Sequence, residues 1–140
     1  MFVTRKAEFS ASHVCRVPSL SDQENQQLYG EGANPNGHGH NYLLEVTVEG
    51  DPDPATGMVI NLQALKEILL REVVEPMDHR FLNYEVEPFH KVVPTPENIA
   101  GEIWRRLENN LQGLPARLAR VRLYETPDHH VDIVRGDLSL

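Results

Sequence analysis

Two short segments carry the residues best suited to hold a metal ion. His38 and His40 stand in Asn36-Gly37-His38-Gly39-His40-Asn41-Tyr42, and His13 closes Phe9-Ser10-Ala11-Ser12-His13. Apolar and polar residues alternate from Tyr42 to Val48, so His38 and His40 are expected to enter a β-strand. Residues two apart on a strand point to one face. Two imidazoles on that face and a third from another strand make a three-nitrogen set. Neutral imidazoles suit Zn²⁺, and three protein ligands leave a fourth position open to water or substrate. The chemistry expected is that of a catalytic zinc site.

These side chains need elements to position them. Alternation from Phe2 to Ser10 predicts a first strand, which Phe9 and Ala11 carry on to His13. Between Arg16 and Gly37 no strand period survives. Ser21 followed by Glu24 predicts one short helix there, opened by a capping box. Asn41 to Gly50 is the next strand, and Asp51 to Gly57 is turn chemistry. Asn61 caps a helix expected to run to Val73 or Val74, with Pro76 ending it. Met77 to Pro94 reads as irregular. Thr95 caps a second helix with Pro96 at its first position. Arg117 to Thr126 and Val131 to Arg135 close the chain as two strands. Pro127-Asp128-His129-His130 is the expected turn between them, with both histidines in solvent. The order ββααββ predicts residues 1–140 as one α+β domain, a four-stranded antiparallel sheet with both helices on one face. Its open edges call for cover or for pairing with neighbouring subunits.

Composition narrows the function. The 140 residues are 40% hydrophobic, enough for a real core. A net charge of −8 argues against nucleic acid or an anionic membrane as the main partner. Cys15 is the one cysteine, which excludes an intrachain disulfide and suits a reducing cytoplasm. No apolar signal core opens the sequence, and no stretch approaches the ~20 apolar residues of a membrane span.

Six segments together resemble the 6-pyruvoyltetrahydropterin synthase family, which includes the bacterial 6-carboxytetrahydropterin synthases. They are Phe9 to His13, Asn34 to Tyr42, Asp53 to Val59, Met77-Asp78-His79, Pro94 to Asn98 and Tyr124-Glu125-Thr126. They span the chain from about Phe9 to Val134, in order. The resemblance implies the tunnelling fold, in which ββααββ units join into trimeric barrels that stack into hexamers with active sites at subunit interfaces. It implies that His13, His38 and His40 hold Zn²⁺, that Asp78 and His79 relay protons, and that Glu125 anchors a pterin ring. The backbone around Thr95, Pro96 and Glu97 would also meet the pterin. The activity implied is triphosphate elimination from 7,8-dihydroneopterin triphosphate with proton shifts along its side chain. Arg16 and Lys91 are candidates for the triphosphate charge.

One position departs from the family. Its cysteine base falls where Gly32 stands. Three substitutes are open: Glu31 as a carboxylate base, Cys15 as a relocated thiol, or no base, with His79 or metal-bound water doing different chemistry. Glu31 is the first choice, being the only ionisable side chain between Gly30 and His38. The departure keeps other activities in play: a variant side-chain lyase, a 6-carboxytetrahydropterin synthase or a catalytically weak pterin-binding protein. A purely structural metal site is a further rival, against which Glu125 and Asp78-His79 speak. Trp104, Phe81 and Phe89 are expected in the core or at an interface, and His90 has no assigned role.

Overall fold

The computed structural model describes residues 1–136. One five-stranded sheet organises them, in the order β3 (Arg80–Phe81), β1 (Phe2–His13), β2 (His38–Glu49), β4 (Arg117–Thr126) and β5 (His129–Val134). Strands β1 (Phe2–His13) and β2 (His38–Glu49) form a long antiparallel pair in register from Phe2↔Glu49 to His13↔His38. Strand β4 (Arg117–Thr126) pairs with β2, and β5 (His129–Val134) pairs with β4, both antiparallel.

The alternation set by the sequence decides the faces. Phe9, Ala11 and His13 of β1 are buried, as are Tyr42, Leu44, Val46 and Val48 of β2 and Leu118, Val121 and Leu123 of β4. Helices cover that side. Pro96–Leu111 turns Ile99, Ile103, Leu107 and Leu111 inward at helical spacing, and Leu62–Leu69 adds Leu65, Ile68 and Leu69. Truncating a fully buried leucine such as Leu107 to alanine would cost about 2–5 kcal/mol. The short helix Asp22–Tyr29 has the expected box, with Ser21 Oγ accepting from Glu24 N and Glu24 Oε1 accepting from Ser21 N.

The structure corrects the sequence reading in three places. The Leu62 helix does not stop before Pro76. It widens into a π-type turn over Leu70–Val74 and finishes with a helical turn Glu75–Met77. Glu75 N–H bonds five residues back to Leu70 O, and proline, having no N–H, forfeits no bond in the turn that follows. The segment after Met77 is not irregular throughout. A two-residue strand β3 (Arg80–Phe81) runs parallel to β1 at Ala11 and Ser12, and a short helix Leu82–Glu85 follows. The sheet is therefore five-stranded and mixed rather than four-stranded and antiparallel. Finally, β5 begins at His129, so His129 and His130 lie in a strand instead of the turn.

Side chains replace backbone pairing where the segment 78–85 meets the sheet. Asn83 accepts from Val14 N at 2.8 Å and donates to Val14 O at 2.9 Å. Arg106, on the long helix, donates to Glu72 O and Glu87 O and pairs with buried Glu102. These contacts fix the segment that carries Asp78 and His79.

Candidate active site

The histidines extend the buried stripe of the sheet to its end. His13 and His38 face each other across β1 and β2, and His40 sits one step back, opposite Ala11. Gly37, at φ +76°, turns the chain into β2, and a Cβ there would lie 2.8 Å from the Phe81 ring. Below the histidines, Phe9 and Tyr42 stack at 5.0 Å.

The nitrogens are arranged for a cation. His13 is buried, and its Nδ1 lies 2.7 Å from Pro94 O. A carbonyl only accepts, so Nδ1 carries the proton and Nε2 keeps its lone pair. That Nε2 is 3.2 Å from His38 Nε2. One ligand nitrogen from each of His13, His38 and His40 lies within 4.8 Å of the others, so the trio can bind an ion. His38 Nδ1 and His40 Nε2 are buried without a hydrogen-bond partner. Burial lowers the pKa of His13 and His40, favouring the neutral form that a metal needs. Three imidazoles that turn ring nitrogens to one point fit a first-row divalent ion.

Glu125 faces the trio from β4. It sits where the β4–β5 register shifts between Tyr124 and Thr126, a bulge that re-aims its side chain. Its Oε1 is 3.7 Å from His40 Nε2, and its Oε2 is 4.0 Å from His13 Nε2. On its other side Oε1 is 3.6 Å from His129 Nε2. His129 is thus drawn into the site, whereas the sequence places it in solvent. The alternation His129, Val131, Ile133 was the available signal, hidden by the adjoining Pro127-Asp128.

The start of the long helix closes the same region, because Pro94 O holds His13. Thr95 caps it, with Oγ1 accepting from Asn98 N at 3.2 Å, Pro96 takes the first turn and Glu97 is exposed there. Burial, then the charges of Glu125 and Glu97, push the Cys15 thiol up to about 11. Cys15 is buried, with Sγ 3.8 Å from His13 Nδ1. A Cβ placed on Gly32 would lie 3.7 Å from Cys15 Cβ and 3.9 Å from His38 Cε1, so the position of the family cysteine does point at the site. Glu31 is exposed on the 3₁₀ turn Gly30–Ala33, and no contact joins its side chain to the trio. Sequence reasoning also missed Tyr42, whose hydroxyl is fully buried and has no hydrogen-bond partner. Burial and Glu125 raise its pKa, so the hydroxyl keeps its proton.

Asp78 and His79 are built as a pair but stand elsewhere. Asp78 Oδ1 accepts from Ser10 N at 2.8 Å, His79 N donates to Ser10 O at 2.6 Å, and Asp78 Oδ2 is 2.9 Å from His79 Nδ1. The carboxylate thereby fixes the imidazole and leaves its Nε2 outward. The hydrogen bond from Ser10 is the largest cause holding the Asp78 carboxyl below its ordinary value. His79 adopts φ +61°, a left-handed conformation that costs a non-glycine residue energy. Its side chain is 83% exposed. The cleft beside it, about 500 Å³, is lined by Ser10, Ser12 and Asn41, which project from the sheet face opposite the trio, and by Ala11 and His40 between them. Within one chain His40 borders the same cleft as His79, and no hydrogen bond or ion pair among the described residues joins Asp78-His79 to the trio. Arg16 and Lys91 share a separate cleft of about 350 Å³ with His90. Trp104 and Phe89 are core residues, and Phe81 is half-buried beneath Gly37.

Comparison with known proteins bears on the family and the fold. A family model described as 6-pyruvoyl tetrahydropterin synthase matches residues 2–135. The chain is 45% identical to a Homo sapiens 6-pyruvoyl tetrahydrobiopterin synthase over 135 residues, covering 96% of this chain and 91% of the relative. It is 33% identical to a dihydroneopterin monophosphate aldolase of Pyrococcus furiosus over 128 residues, covering 91% and 92%. The solved Caenorhabditis elegans 6-pyruvoyl tetrahydropterin synthase superposes with a TM-score of 0.90 at 36% identity, covering 97% of this chain and 96% of that one.

Proposed function

This chain belongs to the 6-pyruvoyl tetrahydropterin synthase family, a family of lyases with the tunnelling fold, and we propose that it eliminates triphosphate from 7,8-dihydroneopterin triphosphate. Its function is that of a synthase-type enzyme of tetrahydrobiopterin biosynthesis. The observation that carries the reading is the histidine trio with the Glu125 carboxylate at 3.7 and 4.0 Å from its nitrogens.

We assign the ion as Zn²⁺, from the three-imidazole donor set. His13, His38 and His40 would hold the ion, which would supply polarisation of the side-chain oxygens and acidify the adjacent C–H. The protein supplies the rest. Glu125 accepts the adjacent N–H donors of the pterin ring. The helix start at Thr95, Pro96 and Glu97 borders the ring. Arg16 and Lys91, in their shared cleft, meet the triphosphate charge. Asp78 orients His79, whose free Nε2 takes up or returns the side-chain protons. A single free thiol, Cys15, supports a reducing cytoplasm as its compartment in this reading. The test is product identification by mass spectrometry after incubation with 7,8-dihydroneopterin triphosphate. Release of triphosphate with a 6-pyruvoyl product supports the reading. Absence of turnover, with the pterin still bound, reduces the protein to a binder.

A second reading is side-chain cleavage. Gly32 in place of the family cysteine favours it, as does the 33% identity to the Pyrococcus aldolase. A 6-hydroxymethyl-7,8-dihydropterin together with a C2 aldehyde that keeps the phosphates, formed by breaking the bond between the first and second side-chain carbons, would select it in the same experiment.

Replacing Glu125 by glutamine checks the pterin anchor. It sets an N–H donor against the ring's donors. Losing a charge-assisted pair costs about 1.5–3 kcal/mol, so affinity for a dihydropterin should fall roughly ten- to a hundredfold by titration calorimetry. Unchanged affinity would remove Glu125 from the pocket.

Assembly follows from the same reading. Strand β3 covers β1 only at Ala11 and Ser12, and β5 closes the other side of the sheet with its outer edge free among the described residues. We propose that these edges pair between copies to build a homohexamer, a dimer of trimers, and that Asp78-His79 of one chain serve the trio of a neighbour. His40→Ala and His79→Ala proteins, each inactive, should then regain partial activity when unfolded and refolded together. Failure of mixed hexamers to recover any activity would put the relay and the metal in one chain's service, and a stable monomer by light scattering would end the assembly reading.

A further inference from the structure

We propose that Asn83 is a positioning residue for the proton relay: it holds the chain beyond His79 so that the imidazole stays against Asp78. The proposal rests on the relay reading above. The backbone of His79 is the first ground. It lies at φ +61°. A left-handed conformation costs a non-glycine residue energy, and it lasts only where the chain on either side is held. Ser10 holds the near side. Its carbonyl accepts from His79 N at 2.6 Å, and its N–H donates to Asp78 Oδ1 at 2.8 Å.

The far side has little main-chain pairing among the described residues. Strand β3 meets β1 at Ala11 and Ser12 alone. Beyond it a side chain takes over the pairing. Asn83 Oδ1 accepts from Val14 N at 2.8 Å, and its Nδ2 donates to Val14 O at 2.9 Å, so one amide stands in for a strand residue. Glu85 Oε2 accepts from Phe81 N at 2.7 Å and closes the span from within. The bonds at Ser10 and at Val14 thus bracket residues 78–83 against one strand.

Little else holds the imidazole itself. The His79 side chain is 83% exposed, and its polar partner among the described residues is Asp78 Oδ2, 2.9 Å from Nδ1. Take away the Val14 bonds and residues 80–85 swing about the Ser10 anchor. His79 then relaxes towards an ordinary φ, and its ring leaves the carboxylate that fixes its tautomer and direction. Val14 also lies between His13 and Cys15, so the experiment separates an effect on the relay from one on the metal corner.

Turnover, KM and zinc content are measured for Asn83→Ala and Asn83→Asp, each in the parent and in the Asp78→Asn background. Asn83→Ala should lower kcat about ten- to a hundredfold, the worth of an ångström's misplacement, with KM and zinc content within about twofold of the parent. Asn83→Asp keeps the acceptor for Val14 N and should fall between; it answers the question if the alanine protein does not fold. Asp78→Asn sets a donor against His79 Nδ1 and takes away the orientation that Asn83 preserves. In that background neither Asn83 change should lower kcat by more than about twofold, because a residue acting through the Asp78–His79 contact has nothing left to hold. An equal loss in both backgrounds overturns the proposal and leaves Asn83 a general support of the fold. Zinc lost in step with the rate overturns it in favour of the metal corner, and parental kcat in both Asn83 variants overturns it outright. Parental kcat in Asp78→Asn is a different failure: the relay reading itself is wrong, and the positioning role falls with it.

Discussion

Zinc content and turnover should fall together when His38 becomes alanine, turnover by roughly three orders of magnitude. The figure follows from a metal's contribution of several kcal/mol to charge stabilisation, at about 1.4 kcal/mol per decade. His38 is suited to this test because it is tied to little else. Its Nε2 meets His13 Nε2 at 3.2 Å, and its Nδ1 has no partner. It lies at the first residue of β2, where the neighbouring strand residue is itself a metal candidate rather than core. Alanine there removes a ligand without opening the apolar core, so the metal-free unfolding temperature should change little. Removing His13 would be a poorer test, since its Nδ1 holds Pro94 and the start of the long helix. Elemental analysis and steady-state kinetics on the same sample decide the matter. Full zinc occupancy in His38→Ala would refute the trio, and full turnover without zinc would refute its catalytic part.

Much of this site is legible in the sequence because strand periodicity has only two phases. Tyr42, Leu44, Val46 and Val48 must face the core, so His38 and His40 must share that face. Capping residues were equally direct at Ser21, Asn61 and Thr95, where side-chain oxygens accept the helix's first N–H groups. What escaped is non-local or too short to have a period. Strand β3 is two residues long and exists because it pairs with Ala11 and Ser12. The wide turn at Leu70–Val74 leaves the helical spacing of apolar residues nearly intact, so only Pro76 hinted at it, and with the wrong sign. His129 reaches Glu125 across the β4–β5 turn, and turn chemistry in the sequence hides a residue that belongs to the next strand. The adjacency of Cys15 and Gly32 comes from one backbone bond, Cys15 N to Gly32 O at 2.7 Å, between positions that no local pattern links.

That adjacency sets the expected outcome for the missing base. The sequence favours Glu31 because of its neighbourhood in the chain. In space Glu31 is exposed, whereas Cys15 is buried beside the point where a Gly32 side chain would start. Cys15→Ala should therefore lower turnover by ~10²–10⁴-fold, the usual worth of a general base, and Glu31→Gln should stay within a few-fold of the parent. The resting thiol, pushed up to about 11, is protonated at neutral pH, and a cation at the trio opposes the carboxylate charge that helps hold it there. Position 32 offers the decisive variant. A Cβ there makes only ordinary contacts, 3.6 Å to Tyr29 Cβ and 3.7 Å to Cys15 Cβ, so a cysteine fits without displacing its neighbours. Gly32→Cys placed in the Cys15→Ala background should restore most of the lost rate, because it returns a thiol to the same corner from the other segment. Thiol alkylation should silence both the parent and the restored protein and leave Cys15→Ala unaffected. If Cys15→Ala turns over at the parent rate while Glu31→Gln does not, the carboxylate is the base and the turn Gly30–Ala33 must move to deliver it. If neither change matters and His79→Ala alone stops the reaction, proton transfer runs through the Asp78-held imidazole without a partner base.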